Sequence, residues 1–237
     1  MRRILKLRKV IGQSIVTVKT DSYAAAQTAF QTIVDNRRAL QEYIEESPEF
    51  LSSLDPVTVV DSAPEIVRRM SSAAETADVG PMAAVAGALA DLAVEAMTAL
   101  GADVAVVEDG GEISVGEDVR LDIAINSGRS PLSGRLGLRI LQRDLPVGVA
   151  TSSATVGHAL SFGSADSATV VAENAALADA AATAVCNAVK GDDPDTSIRR
   201  GLEVARHISG VRGALIIRGD HAGTTGQLPS LIWIRGS

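Results

Sequence analysis

Residues 168–189 read ATVVAENAALADAAATAVCNAV, and the change of period inside that stretch sets the fold class. Thr169, Val170 and Val171 are β-branched and favour a strand over Ala168–Ala172, Asn174 can cap the next element, and Ala175–Val189 is an alanine-rich helix that stops at Gly191. Downstream, Asp192–Asp195 caps an amphipathic helix over Ile198–Ile208. Strands at Ala214–Arg218 and Leu231–Ile234 finish the chain around a Gly/Thr loop. Upstream, Val104–Glu108, Glu112–Val115 and Leu121–Asn126 read as a meander broken by Asp109-Gly110-Gly111 and Gly116-Glu117-Asp118. Ser127–Gly134 is a polar loop, Leu136–Leu141 suits a strand or a helical turn, and Val147–Phe162 has no assignable local structure. Gly80-Pro81 opens a helix that runs to Leu100-Gly101, with the proline in its first turn.

The first third of the chain supplies the remaining elements. Arms at 4–11 and 14–20 form a hairpin around Gly12-Gln13. A long helix, capped by Asp21-Ser22, carries Ala26, Phe30, Ile33, Val34, Leu40 and Ile44 at helical spacing up to Ser47-Pro48. A short strand is expected at Val57–Val60 and a helix at Glu65–Ala77. No Pro/Gly linker interrupts this series, so residues 1–237 are expected to form one α+β domain with the C-terminal strand pair in the same sheet. The order of strands and helices hints at two similar halves.

Composition narrows the function. The chain is 46% hydrophobic, 22% charged and 3% aromatic, with 22 Lys+Arg against 29 Asp+Glu, which excludes disorder and collagen. A net charge of −7 repels phosphate backbones, so no nucleic-acid partner is expected. Cys186, the single cysteine, sits in the Ala-rich helix and reads as a buried, inert thiol in a reducing compartment. The run Val10–Val18 is broken by Gly12, Gln13, Ser14 and Thr17, and Gly80–Leu100 contains Asp91 and Glu95. No signal peptide or membrane span is therefore expected, and a cytoplasmic location is the expectation.

Chemistry has few places to sit. Asp179 and Thr183 are four apart and share one helix face among alanines. They form either a small oxygen site for a hard cation such as Mg²⁺, or a carboxylate near a dipole beside a hydroxyl bonded back to the helix. Asp109-Gly110-Gly111-Glu112 between two strands is a hairpin turn or a place where a ligand approaches bare backbone. His158 comes after a run of hydroxyls and small residues, where it can act as a general base or hold a structural hydrogen bond. His207, on an amphipathic helix, and His221, in a loop, have structural explanations. No Gly-x-Ser-x-Gly elbow is present, which argues against a Ser/His hydrolase.

Four segments in order resemble the motifs of the ApbE superfamily, the FAD:protein FMN transferases formerly called thiamine-biosynthesis lipoproteins. They are Gly80-Pro-Met-Ala-Ala-Val-Ala-Gly-Ala-Leu-Ala-Asp91, Val106-Val-Glu-Asp-Gly-Gly-Glu-Ile113, Thr151-Ser-Ser153 with His158, and Ala168–Ala172 running into Leu177-Ala-Asp-Ala-Ala-Ala-Thr183. The motif-bearing core is residues 80–190. Val79–Gly87, Ser130-Pro-Leu-Ser-Gly134 and Thr151–His158 resemble in particular an uncharacterised cytoplasmic branch whose members extend over nearly the whole chain. The resemblance implies a T-fold-like α+β architecture of two related halves. It also implies Mg²⁺ on Asp179 and Thr183, with a backbone carbonyl near Ala84 as a further ligand. FAD, FMN or another phosphorylated ligand would lie against Gly110, Gly111, Ala84, Thr151 and Ser152, and His158 would be the catalytic residue. A protein partner and a homo-oligomer are further implications.

The chain departs from the transferases at informative positions. Their Lys-Gly is Ala86-Gly87, their Asn-x-Gly-Gly-Asp is Glu108-Asp109-Gly110-Gly111-Glu112, and the stretch after their histidine lacks Asp-Pro in His158–Gly163. Aromatic side chains for stacking on a flavin are scarce. The expectation is a flavin- or nucleotide-type pocket divergent from FMN transfer, in an accessory role such as sulfur assimilation. The alternative is a Mg²⁺-dependent FMN, nucleotidyl or phosphoryl transferase using FAD or a related nucleotide.

Overall fold

The computed structural model describes residues 4–117, 120–154 and 163–234. The chain opens with a hairpin of β1 (Leu5–Ile11) and β2 (Ser14–Thr20), then continues through α1 (Tyr23–Glu46), α2 (Glu49–Ser52) and α3 (Glu65–Ala77). A 3-10 turn at Pro81–Ala84 leads into α4 (Val85–Ala99), then β3 (Ala105–Asp109), β4 (Glu112–Glu117), β5 (Leu121–Ala124) and β6 (Leu136–Ile140). The rest is β7 (Val147–Ser152), β8 (Ser167–Ala172), α5 (Ala175–Ala188), α6 (Pro194–His207), β9 (Val211–Arg218), β10 (His221–Gly226) and β11 (Ser230–Trp233).

Eight strands form one antiparallel sheet in the order β1-β2-β3-β4-β7-β8-β9-β10. The order reveals two halves of the same plan. In each, a hairpin is succeeded by helices and then by a second hairpin: β1-β2, α1 to α4, β3-β4, then β7-β8, α5 and α6, β9-β10. The described helices α1–α6 lie on one side of this sheet, where Val16, Val18, Val107, Val170 and Ile216 share a core with Ile33, Met70, Leu89 and Met97. The other face carries a second core under a three-stranded sheet, β11-β6-β5, with Val115, Val149, Leu215 and Ile217 packed against Leu121, Ile125, Leu138 and Ile140.

Local chemistry explains the helix ends. Ser22 accepts from the Ala25 amide at 3.3 Å, Asn174 from Leu177 at 2.8 Å and Asp193 from Thr196 at 2.7 Å, each satisfying a donor the first turn leaves open. Asp21, expected to share the first cap, instead accepts from the Val104 amide. Pro81–Ala99 is the one segment among the described residues long and apolar enough to span a membrane, and half of it is buried against the sheet and its neighbours.

Four expectations are corrected. Val57–Val60 belongs to no sheet among the described residues; it is tied to α3 instead, where the Ser71 hydroxyl bonds the Val57 carbonyl at 2.6 Å. β5 does not continue the meander: it leaves β4 to pair with β6. The C-terminal strands do not pair with each other either. β9 pairs with β8 and β10, whereas β11 crosses to β6. The expected Gly/Thr loop is β10, laddered onto β9. Its small residues suit α6, since a Cβ on Gly223 would stand 2.7 Å from Ile198.

Candidate functional site

Two helix termini and one hairpin build the site. α4 and α5 cross so closely that a Cβ on Gly87 would lie 2.1 Å from the Ala175 carbonyl oxygen. Backbone on both sides leaves nothing to move aside, so Gly87→Ala is expected to destabilise the protein by about 1–3 kcal/mol. Urea denaturation checks this, and an unchanged midpoint would show that the crossing relaxes without cost. At the same crossing the Gly87 amide donates to Asp179 Oδ2 at 3.0 Å, which fixes the carboxylate where α5 faces the tip of the β3–β4 hairpin. That hairpin closes with Gly110 at φ 74° and Gly111 at φ 132°. Both angles favour glycine, and a Cβ on Gly111 would meet nothing within 4 Å, so the tip combines a tight turn with open, bare backbone.

A cavity of about 590 Å³ lies at this tip. Gly110, Gly111, Thr151, Ser152, Asp179 and Thr183 line it together, although they come from three distant parts of the chain. Thr151 shares a hydrogen bond with Thr169 at 2.9 Å. Ala84 is buried at the end of the 3-10 turn and is not among the lining residues. His158 lies outside the described residues. A second cavity of about 980 Å³ opens on the other side of the tip and shares Gly110 and Glu112 with the first. Its walls include Ile11, Leu40, Ile44, Met82 and Val85, with Asp109, Arg37 and Arg38 as polar members.

Carboxylates outnumber cations in the first cavity, where Glu108, Glu112, Asp122 and Asp179 face Lys19 among the described residues. Burial raises Asp179 to about 7, against the Gly87 hydrogen bond and with help from the Asp109 charge. Glu112 is pushed well up by burial and then by the Asp179 charge. Burial also raises Asp109, opposed by the Ser14 hydroxyl and the Arg37 guanidinium. Asp109 Oδ2 is buried with no hydrogen-bond partner among the described residues. Such a set fits a hard cation: an acceptor carboxylate and a hydroxyl one turn apart, surplus negative charge, and an unsatisfied oxygen nearby. No three described His, Cys, Asp or Glu side chains converge into a complete metal cage, so most ligands of such an ion would be ligand phosphates and water.

Sequence reading missed four participants. Asp91 is the most consequential. This buried carboxylate of α4 accepts from the Ala175 and Ala176 amides at 2.9 and 2.8 Å and from the Ser114 hydroxyl at 2.7 Å. It thereby seats the start of α5, the helix that carries Asp179. Its signal is an acid on the apolar face of a helix, one turn before Glu95. Asp109 and Glu112 were visible only as hairpin residues, and Lys19, which lines the first cavity, only as one residue of a strand.

Comparison with known proteins finds relatives over nearly the whole chain. The profile of a family described as "AbpE bacteria" matches residues 6–209. A UPF0280 protein of Methanopyrus kandleri is 40% identical, with 97% of this chain and 94% of the relative covered. One from Methanocaldococcus jannaschii is 41% identical over 96% and 93%. Among solved structures, the apo flavinyl transferase ApbE of Pseudomonas stutzeri superposes with a TM-score of 0.60 at 15% identity, covering 94% of each chain. The ApbE protein of Thermotoga maritima gives 0.61 at 13% identity, covering 94% of this chain and 97% of the other.

Proposed function

The chain belongs to the AbpE bacteria family, and on that premise we propose that it binds a flavin-type nucleotide around the hairpin tip, with one end in each of the two cavities that flank it. One observation carries the reading: Gly110 and Glu112 of the hairpin tip line both the cavity that bears Asp179 and Thr183 and the more apolar one on its other side. A nucleotide has the same division, with phosphates at one end and a ring at the other. Asp179 and Thr183 would hold Mg²⁺, which when bound bridges phosphate oxygens and offsets the carboxylate charge. Ile44, Met82 and Val85 would cover the ring. Asp109 Oδ2 would accept a ring N–H.

FMN transfer is not the activity this geometry supports best. Ala86 stands beside Gly87 where the transferases carry lysine, so no ammonium acts at the phosphates from that position. As a binding protein the chain would serve an accessory role in the cytoplasm, with sulfur assimilation as the setting the resemblance implies. A second reading, Mg²⁺-dependent transfer from FAD with His158 as the base, is favoured by the open access to the hairpin tip. Weighing an acceptor protein after incubation with FAD and Mg²⁺ separates the two: a gain of one FMN that is lost in His158→Ala would restore the transferase.

Substitutions at the two ends test the binding mode. Thr183→Val removes one oxygen at constant volume and is expected to weaken FAD and ADP alike by about tenfold. Val85→Asp places a charge against the ring, at a helix start that tolerates acids. It should weaken FAD by about tenfold or more and leave inorganic pyrophosphate unchanged. Equal losses for all ligands in Val85→Asp, measured by calorimetric titration, would overturn the two-cavity placement.

A further inference from the structure

The β1–β2 turn, α1 and the β3–β4 hairpin meet at the second cavity, which Gln13, Ser14, Arg37 and Asp109 all line. These four side chains form one relay of hydrogen bonds. The Arg37 guanidinium donates to Gln13 Oε1 at 2.5 Å and to Ser14 Oγ at 3.1 Å, and the Ser14 hydroxyl bonds the Asp109 carboxylate. A Cβ on Gly12 would stand 2.6 Å from Arg37 Nη2, so the turn lies close against the guanidinium. Strand pairing fixes the last member, since Asp109 is the partner of Val16 on β2 and of Glu112 on β4. The relay reaches one carboxylate oxygen only. Asp109 is 2% exposed, and its Oδ2 has no hydrogen-bond partner among the described residues.

A buried acceptor held in this way selects its ligand by hydrogen bonding. Burial pushes the Asp109 carboxyl up, while the Ser14 hydroxyl and then the Arg37 charge oppose that push and favour the ionised form, which only accepts. The ligand must therefore bring the donor, and the number of open oxygens sets which kind. A 2-aminopurine edge presents two adjacent N–H groups and suits both oxygens of a carboxylate in parallel. Oδ2 alone suits a single ring N–H. Arg38 and Gln41 of α1 line the same cavity, and their N–H groups suit carbonyls on either side of that donor. A donor between two carbonyls is the edge of a cyclic imide, which the isoalloxazine ring of a flavin carries at N3. Adenine has no such edge.

We propose that Asp109 Oδ2 recognises the imide N–H of a flavin ring in the second cavity, with Ser14 and Arg37 as positioning residues that hold the acceptor. The flavin end of the nucleotide, and not the adenine end, then occupies this cavity. This deepens the proposed function by naming the ring and the edge that is read. It rests on that reading for the ring's place in the second cavity and needs neither Mg²⁺ nor phosphates.

The test titrates riboflavin, 3-methylriboflavin and adenosine, none of which carries a phosphate, into the whole chain at pH 8 without Mg²⁺, using flavin fluorescence and, for adenosine, calorimetry. Riboflavin is expected to bind at least about tenfold tighter than either of the others. Asp109→Ala and Ser14→Ala should each weaken riboflavin about tenfold and leave 3-methylriboflavin unchanged, so that the two flavins bind alike, whereas a purely structural loss would weaken both. Ser14→Thr keeps the hydroxyl and should keep the discrimination. Equal affinities of the wild type for the two flavins, equal losses for both in Asp109→Ala, or adenosine bound as tightly as riboflavin would overturn the proposal. If Asp109→Ala does not fold, the wild-type comparison decides alone. FAD bound with Mg²⁺ while the two flavins are not told apart would defeat this inference and leave the nucleotide reading standing. Riboflavin told apart from its methyl derivative while FAD ignores Mg²⁺ would uphold this inference and count only against the metal end.

Discussion

Asp91→Ala is expected to cost the fold about 3 kcal/mol or more, at the upper end of what a single truncation does. The carboxylate satisfies the first two amides of α5 and the Ser114 hydroxyl, and alanine leaves all three polar groups buried without a partner. The start of α5 gains negative charge at its positive end, which adds to the loss when that charge is removed. An opposing effect limits the total. Burial raises the pKa of Asp91, so ionising it already carries a desolvation cost that alanine abolishes. Asn in its place keeps one acceptor but turns an amide toward a backbone donor, so Asp91→Asn should fall between the two. Urea midpoints check the series, and a loss under about 1 kcal/mol for alanine would show that the cap is dispensable.

Asp179→Asn is expected to act in the opposite direction on stability and to abolish the response to Mg²⁺. The folded chain holds the Asp179 proton up to about pH 7, whereas the unfolded chain releases it near pH 4. Wild-type stability is therefore greatest, as far as this group is concerned, below the unfolded value and falls as pH rises toward 7. Asn escapes this loss while still accepting from Gly87, so its advantage should open between about pH 4 and 7 and level off above, at no more than about 4 kcal/mol. Mg²⁺ acts only on the ionised site, so its stabilisation of the wild type should be larger at pH 8 than at pH 6 and absent in the variant. Melting curves at the two pH values, with and without Mg²⁺, check both. A Mg²⁺ shift that survives in Asp179→Asn would remove this residue from the metal site.

Local signals carried most of the fold and half of the site. The helix around Asp179 was legible because Asn174 caps it and Gly191 ends it, and the β3–β4 hairpin because Gly110-Gly111 permits nothing else so readily. β10 was hidden because Gly223, Thr224 and Thr225 resemble a loop until β9 supplies the ladder and α6 demands small residues. β11 could not be assigned to β6, since its pairing crosses nearly a hundred residues and leaves no local trace. The site divides the same way. Asp179–Thr183 shows itself through a four-residue period, whereas Asp91 meets Ala175 across 84 positions and Lys19 reaches the first cavity only once β2 is paired with β3.

Whether Asp179 holds a cation on which nucleotide binding depends is tested most directly by calorimetric titration of FAD at pH 8 with and without Mg²⁺, in the wild type and in Asp179→Ala. The wild type should bind at least about tenfold tighter with Mg²⁺, and the variant should bind weakly and equally in both conditions. Wild-type affinity that ignores Mg²⁺, or a Mg²⁺ effect of the same size in Asp179→Ala, would contradict it.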